Sequence, residues 1–107
     1  NARRMGVGRM LYDAMEAILR MQRLTNVEAC IAVPSATDAH LTMDSVRFHE
    51  KMGYRMVGTF HQCGYKFDTW YDMVWMEKHI GEHTHPQPPV LRFDEIREKA
   101  LRQLKPR

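Results

Sequence analysis

No apolar run in this 107-residue chain approaches the ~20 residues a membrane helix needs, so a membrane-spanning role is excluded from the expectations. A secretory signal is missing too: Arg3 and Arg4 lead into an amphipathic pattern, where a signal would continue as apolar sequence. Cysteine is scarce. Cys30 lies in an apolar, strand-like run and Cys63 in a loop-like one, which argues against a disulfide framework and for a reducing, cytoplasmic setting. Charge of one sign is also lacking. The net charge is only +3, and the basic residues are spread out, with mild concentrations at Arg3, Arg4 and Arg9 and at Arg97, Lys99, Arg102, Lys105 and Arg107. A nucleic-acid surface needs a clustered stripe with interleaved aromatics, so solvated helix faces and a tail are expected instead. Internal repeats are absent. With 44% hydrophobic and 27% charged residues, the chain has the composition of a globular protein, and its length suffices for one small core but not two.

What is present begins at once. Arg3-Arg4-Met5-Gly6-Val7-Gly8 runs into a segment, Arg9 to Arg23, in which Val7, Met10, Leu11, Ala14, Met15, Ile18 and Leu19 recur at the three- and four-residue spacing of one helical face. Two glycines one residue apart permit a tight turn and a close backbone approach. A helix that follows such a turn aims its unpaired N–H groups and positive dipole end at the same spot, which suits an anion such as phosphate. A plain turn with a helix cap is the alternative reading of these residues.

Further on, Val27 to Val33 reads as a strand ended by Pro34, largely apolar on both alternating sets and so expected to be covered on both faces. Asp44 or Thr42 is a candidate cap for a helix running to Met52, and Gly53 suits the left-handed position just past a helix end. Tyr54 to Phe60 and Trp70 to Lys78 read as strands joined by a long His61–Thr69 loop. A proline-rich linker, His83 to Pro89, precedes a last helix, Glu95 to Leu104, capped by Asp94 with Phe93, Ile96, Ala100 and Leu104 on one stripe. The order helix, strand, helix, strand, strand, helix fits an α/β or α+β fold around a mixed sheet.

Three stretches, in order, carry a resemblance: Arg-x-x-Gly-x-Gly at the start, Phe48-His49-Glu50-Lys51-Met52-Gly53-Tyr54, and Gly64-Tyr65-Lys66-Phe67-Asp68-Thr69-Trp70-Tyr71-Asp72. Residues 1 to about 80 resemble the GCN5-related N-acetyltransferase (GNAT) superfamily, within it the phosphinothricin-acetyltransferase-like branch. The resemblance implies the C-terminal half of a GNAT domain over residues 1–80, with 81–107 as linker and tail helix. In that family the anion loop follows a strand, so roughly the first half of the domain is expected to be absent, and with it the backbone N–H that polarises the thioester carbonyl. This polypeptide alone is therefore expected to bind coenzyme A weakly and to turn over poorly.

The implied cofactor is acetyl-CoA, held by Arg3, Arg4, Met5, Gly6, Val7, Gly8 and Arg9. The implied reaction is transfer of its acetyl group to a primary amine of a small molecule, by direct attack and without a covalent enzyme intermediate. His49 falls where the branch has a histidine and other members a tyrosine acting as general acid; a packed histidine near a helix end is the alternative. Asp44-Ser45 aligns with an asparagine-containing element that contacts the pantetheine arm in the family, and a helix N-cap accounts for Asp44 equally well. Lys66, Trp70 and Tyr71 are implied to border the acceptor pocket, or else pack within the strands; Asp68-Thr69 replaces the branch's Gly-Arg. His79, His83 and His85 lie in a polar tail, and no metal is expected there because structural zinc normally takes four well-spaced ligands. A homodimer is expected. The competing function, from another class, is a non-catalytic half-domain that docks through its sheet edge and last helix.

Overall fold

From its second residue the chain coils into α1 (Ala2–Met21), rich in the strong helix formers Ala, Leu, Met and Arg. The computed structural model describes residues 2–35 and 39–104, with side chains described for 6–35 and 44–104. Because α1 starts before the expected Arg9, Gly6 and Gly8 lie inside the helix and form no turn ahead of it, which corrects the sequence reading. The reason is energetic. Glycine accepts helical dihedrals at a cost of about 1 kcal/mol relative to alanine, and the surrounding formers outweigh two such costs. Of the described glycines, only Gly53 has positive φ.

α1 stops in a Schellman reversal. Leu24 N–H reaches back to Leu19 O at 3.0 Å and Arg23 N–H to Arg20 O at 3.0 Å, with Arg23 at φ 69° in the left-handed position usually given to glycine. The chain divides into two compact units, the first made of the described residues of Asn1–Asn26 and His79–Arg107. In it, α3 (Phe93–Gln103) packs on α1, with Ile96 and Ala100 buried one turn apart. The proline-rich stretch before α3 is tied to the end of α1: Leu91 N–H donates to Gln22 O at 2.9 Å and the Gln22 amide donates to Leu91 O at 3.1 Å. Arg92, not Asp94, is the N-cap of α3. The Glu95 carboxylate accepts from the Arg92 backbone N–H at 2.7 Å, while Asp94 sits in the first turn beside the Arg92 side chain. The apolar stripe of α1 is only partly used, since Val7, Met10 and Leu11 are exposed.

The second unit, Val27–Lys78, holds a three-stranded sheet and a helix. Strand β1 (Asn26–Pro34) lies at one edge, β3 (Thr69–His79) in the centre and β2 (Arg55–Lys66) at the other edge. β2 and β3 are antiparallel, from Arg55 opposite Glu77 to Lys66 opposite Thr69. At its far end β1 meets the start of β3 through Ser35 N–H to Trp70 O at 2.9 Å, so it too runs antiparallel. Helix α2 (Ala39–Lys51) links β1 to β2. The element order matches the α/β (α+β) expectation.

Two expectations about the strands are corrected. β1 alternates, with Glu28, Cys30 and Ala32 exposed and Val27, Ala29, Ile31 and Val33 half-buried, because a pleated strand presents successive side chains to opposite faces whatever their polarity. The His61–Thr69 loop is instead strand, closed by the two-residue turn Phe67-Asp68 with both residues at positive φ. Register shifts between Met56 and Gly58 and between Phe60 and Gly64 break the alternation there and hide the strand from a period-two reading. Buried residues of this unit include Val46, Met52, Tyr54, Val74 and the fully buried Met76.

α2 also ends in a Schellman reversal, this time through glycine as expected. Tyr54 N–H donates to His49 O at 2.9 Å and Gly53 N–H to Glu50 O at 3.0 Å, with Gly53 at φ 96°. A side chain there would meet strain and the Lys78 side chain, 3.2 Å from an ideal Cβ. Gly53→Ala is therefore expected to lower the unfolding free energy by about 1–2 kcal/mol, read from urea denaturation.

Candidate active site

The start of α1, in the first unit, is one candidate. Its leading N–H groups have no partner within the helix, and its positive dipole end carries no acidic residue in the first turn to compete with an incoming anion. Gly6, Val7 and Arg9 are exposed and Gly8 half-buried, and a Cβ built on Gly6 would meet nothing within 4 Å. The side chains of Arg3, Arg4 and Met5 lie outside the described residues. The sequence reading placed bare amides at Gly6 and Gly8. In the structure those amides lie within the helix.

α2, in the second unit, carries a separate candidate. His49 is 7% exposed. Its Nδ1 donates to the Ser45 carbonyl oxygen, one turn earlier, at 2.8 Å. A carbonyl can only accept, so Nδ1 bears the hydrogen and, in the neutral ring, Nε2 bears the lone pair. Two aromatic rings hold the imidazole edge-on, Phe48 at 5.5 Å and Tyr54 at 5.3 Å between centroids. The tautomer and orientation of the ring are thus set by its own helix and by the reversal that follows it. Asp44 lies within α2, exposed, and not at its N-cap, because the helix begins at Ala39. His49 and Asp44 share this helix but not a face, one buried and the other in solvent.

A third cluster was not anticipated. The Asp72 carboxylate on β3 joins the end of β1 to the irregular part of β2: Ser35 Oγ donates to Oδ1 at 2.5 Å, Gln62 N–H donates to Oδ1 at 2.8 Å, and His61 Nδ1 lies 3.4 Å from Oδ2. The Ser35 hydroxyl first and then the Gln62 amide hold the Asp72 carboxyl below its ordinary value of 3.8; burial opposes them, and His61 adds a lowering effect weaker than that of burial. Serine, histidine and aspartate meet here in the wrong order for nucleophilic catalysis. The carboxylate is central, so no imidazole stands ready to take the serine proton. Its work is to brace the bulge in which Gln62 adopts φ 47°. In the sequence only Asp72 is marked, as the last residue of a motif; the bulge re-aims His61 and Gln62 towards it, while Ser35 reaches it from the end of β1.

At the hairpin end, Trp70 is cross-strand partner to Tyr65 with ring centroids 5.1 Å apart, and Lys66 Nζ lies 5.0 Å from the Phe67 ring centroid. Tyr71 is half-buried. A separate groove of about 380 Å³ lies on the sheet, lined by Glu28, Val57, Gly58, Thr59, Phe60 and Trp75, and includes none of the predicted site residues. Among the described residues no helix is long and apolar enough to cross a membrane.

Against known proteins, a profile of the acetyltransferase (GNAT) domain matches residues 1–75. A phosphinothricin N-acetyltransferase of Streptomyces coelicolor is 33% identical over 73 residues, 68% of this chain and 39% of that protein. A GNAT superfamily phosphinothricin acetyltransferase from Sinorhizobium meliloti, solved in complex with AcCoA, superposes with a TM-score of 0.63 at 22% identity, over 78% of this chain and 41% of that one. The yncA protein of Salmonella typhimurium, solved with its cofactor acetyl-CoA, gives a TM-score of 0.60 at 26% identity, over 76% and 43%. The chain spans about two fifths of the length of the curated relatives it matches.

The Asp72 cluster has a pH signature. A carboxyl depressed in the folded state stabilises the fold above its unfolded value and loses that contribution as pH falls through the folded one. The stability gap between the wild type and Asp72→Asn, from urea unfolding, is expected to be constant at neutral pH and to narrow as pH falls through and below 3.8.

Proposed function

The chain belongs to the acetyltransferase (GNAT) family, and on that footing we propose that it carries the cofactor-holding and proton-handling part of an acetyl-CoA-dependent N-acetyltransferase acting on a primary amine of a small molecule. The observation that carries this reading is the family match across residues 1–75, which includes both the start of α1 and the α2 reversal. The small-molecule acceptor class rests on similarity to phosphinothricin N-acetyltransferases. A cytoplasmic location and a homodimer belong to the same proposal.

The residues at the start of α1 suit the diphosphate of coenzyme A: unpaired amides, the positive end of a helix, no first-turn carboxylate, and open space over Gly6. In this reading Arg3, Arg4, Met5, Gly6, Val7, Gly8 and Arg9 surround that group: the arginines supply charge-assisted contacts of ~1.5–3 kcal/mol each, and Gly6 and Gly8, whose amides lie within α1, supply close approach and no free N–H. Asp44, exposed on α2, is assigned to the pantetheine arm, where it can act only as an acceptor. When bound, acetyl-CoA supplies a thioester open to attack by an amine.

His49 handles the proton. Its Nδ1–H is committed to the Ser45 carbonyl, so exchange is confined to Nε2, and the flanking rings keep that nitrogen's direction fixed. An imidazole serves as acid or base near neutral pH. The attacking amine must lose a proton and the departing sulfur must gain one, and Nε2 is the atom assigned to the sulfur's proton.

The competing reading, a half-domain that functions by pairing, draws on the exposed Val57, Phe60 and Trp75 of the sheet. Titration with coenzyme A separates the two: NMR shifts at the amides of residues 2–9 support the acetyltransferase, and unchanged spectra at millimolar ligand overturn it. The 107-residue polypeptide is expected to bind weakly and to release thiol slowly. Gly6→Ala is expected to raise the stability of α1 by about 1 kcal/mol while weakening coenzyme A binding, as circular dichroism and the same titration would record. In the complete enzyme His49→Ala is expected to lower turnover at least tenfold, and an unchanged rate would remove His49 from the reaction.

A further inference from the structure

One face of the sheet in the second unit is open. Ser35 N–H donates to Trp70 O at 2.9 Å and Ile80 N–H to Thr25 O at 2.7 Å. Ten residues separate Thr25 from Ser35 and ten separate Trp70 from Ile80, so β1 and β3 pair without a slip between these bonds. Glu28 therefore stands opposite Glu77, Cys30 opposite Trp75 and Ala32 opposite Met73. Across β3, Arg55 stands opposite Glu77, Gly58 opposite Trp75 and Phe60 opposite Met73. Residues opposite one another share a face, so three rows cross the sheet: Glu28–Glu77–Arg55, Cys30–Trp75–Gly58 and Ala32–Met73–Phe60. Val74 and Met76 point to the other face and are buried.

The middle row makes a slot. Gly58 has no side chain, so nothing from β2 stands beside the Trp75 indole, and a Cβ built on Gly58 would meet nothing within 4 Å. Val57, in the bulge, and Phe60, in the next row, raise walls around the gap and are 59% and 62% exposed. The result is the groove of about 380 Å³, a size within the ~300–1,000 Å³ of small-molecule sites. Glu28 is the only ionisable residue that lines it.

Charge selects the occupant. Arg55 is committed to Glu77, with Nη2 and Nε 2.6 and 3.1 Å from Oε1, and that pair is neutral. Among the described residues Glu28 has neither an ion pair nor a side-chain hydrogen bond. The groove is thus left with one net negative charge on a chain whose formal net charge is +3. An anion would meet Glu28 with Glu77 behind it, and a neutral hydrocarbon would take water from the Glu28 carboxylate and return nothing. A cation gains twice, from the carboxylate and from the faces of indole and phenyl rings. Rows on one face lie ~7 Å apart along the strands, so an ammonium at Glu28 lays a tail of roughly five or six carbons over Trp75.

We propose that this groove is a binding site for a small amphiphilic ammonium ion, its charge on Glu28 and its hydrocarbon against Trp75, Phe60 and Val57. The site lies within the second unit and does not depend on the acetyltransferase reading. Its test uses no coenzyme A, so either can fail alone.

n-Hexylammonium titrated into the 107-residue chain is expected to saturate and to shift the indole N–H resonance of Trp75, leaving that of Trp70 at the hairpin end in place. 1-Hexanol is expected to bind about tenfold more weakly, and hexanoate not to saturate. Glu28→Gln is expected to weaken hexylammonium by about fivefold, the upper range for an exposed ion pair. Glu50→Gln, the same change of charge at an exposed position of α2, is expected to alter nothing. Gly58→Val is expected to fill the slot and abolish binding. Gly58 has no positive φ and has open space above it, so a strand-forming valine leaves the fold intact, as circular dichroism verifies. No saturation, equal affinity for hexanol, equal loss in Glu50→Gln, or wild-type affinity in Glu28→Gln or Gly58→Val would each overturn the proposal. A dimer at assay concentration that Gly58→Val dissolves would assign the groove to a second copy and overturn it as well.

Discussion

At the end of α2 the backbone swings through Gly53 at φ 96°, and the Tyr54 amide turns back to the His49 carbonyl at 2.9 Å. That one hydrogen bond does two things. It satisfies an orphan carbonyl at the end of the helix, and it sets Tyr54 against His49 so that the aromatic ring meets the imidazole edge-on. The Ser45 carbonyl then determines which ring nitrogen carries the hydrogen. Without the left-handed residue, β2 could not begin at Arg55 with Tyr54 buried behind it, and the imidazole would lose one of its two aromatic neighbours. The chain uses the same reversal after α1, where Arg23 takes the left-handed position. An L-residue with a side chain is less comfortable there, and the tie between Gln22 and Leu91 next to it helps hold the geometry.

Much of this was legible in the sequence because it depends on local chemistry. Gly53 is a glycine because of its dihedral, and the Phe48–Tyr54 stretch could be read for its helix end directly. The helices and strands of apolar periodicity appeared in the expected order. The start of α1 was harder to read. A Gly-x-Gly segment is compatible with a turn and with a helix, and the difference between them is about 1 kcal/mol per glycine, which local pattern does not resolve. Asp44 is a good cap by type, yet α2 extends beyond it to Ala39, so a residue suited to a cap became an exposed position within the helix.

The Asp72 cluster was hidden for a different reason. Ser35 follows β1, His61 lies on β2 and Asp72 on β3; the irregular pairing of β2 with β3 brings His61 to a carboxylate that Ser35 reaches from the end of β1. Periodicity describes regular strands and is silent about the residue that departs from them. A histidine pair is similar: His79 and His83 meet because Ile80 and Gly81 are fastened to Thr25, a long-range contact with no local signature. In both cases the polar groups are individually ordinary, and their geometry comes from where distant backbone is tied down.

β2 is longer than the part of β3 it faces. Val57 has no counterpart between Met76 and Trp75, while His61, Gln62 and Cys63 together face only Asp72. These two sites differ in kind. A single surplus residue reverses which side chains point up and which point down beyond it, whereas a surplus of two preserves the orientation. Lineages of this protein could therefore shed or gain a pair of residues at the outer site and change the reach of the hairpin without turning the sheet inside out. Val57 is itself the surplus residue near the base: its loss would leave Met56 and Gly58 facing Met76 and Trp75 one to one and straighten the strand, so a change of one residue is absorbed near the base and a change of two near the tip.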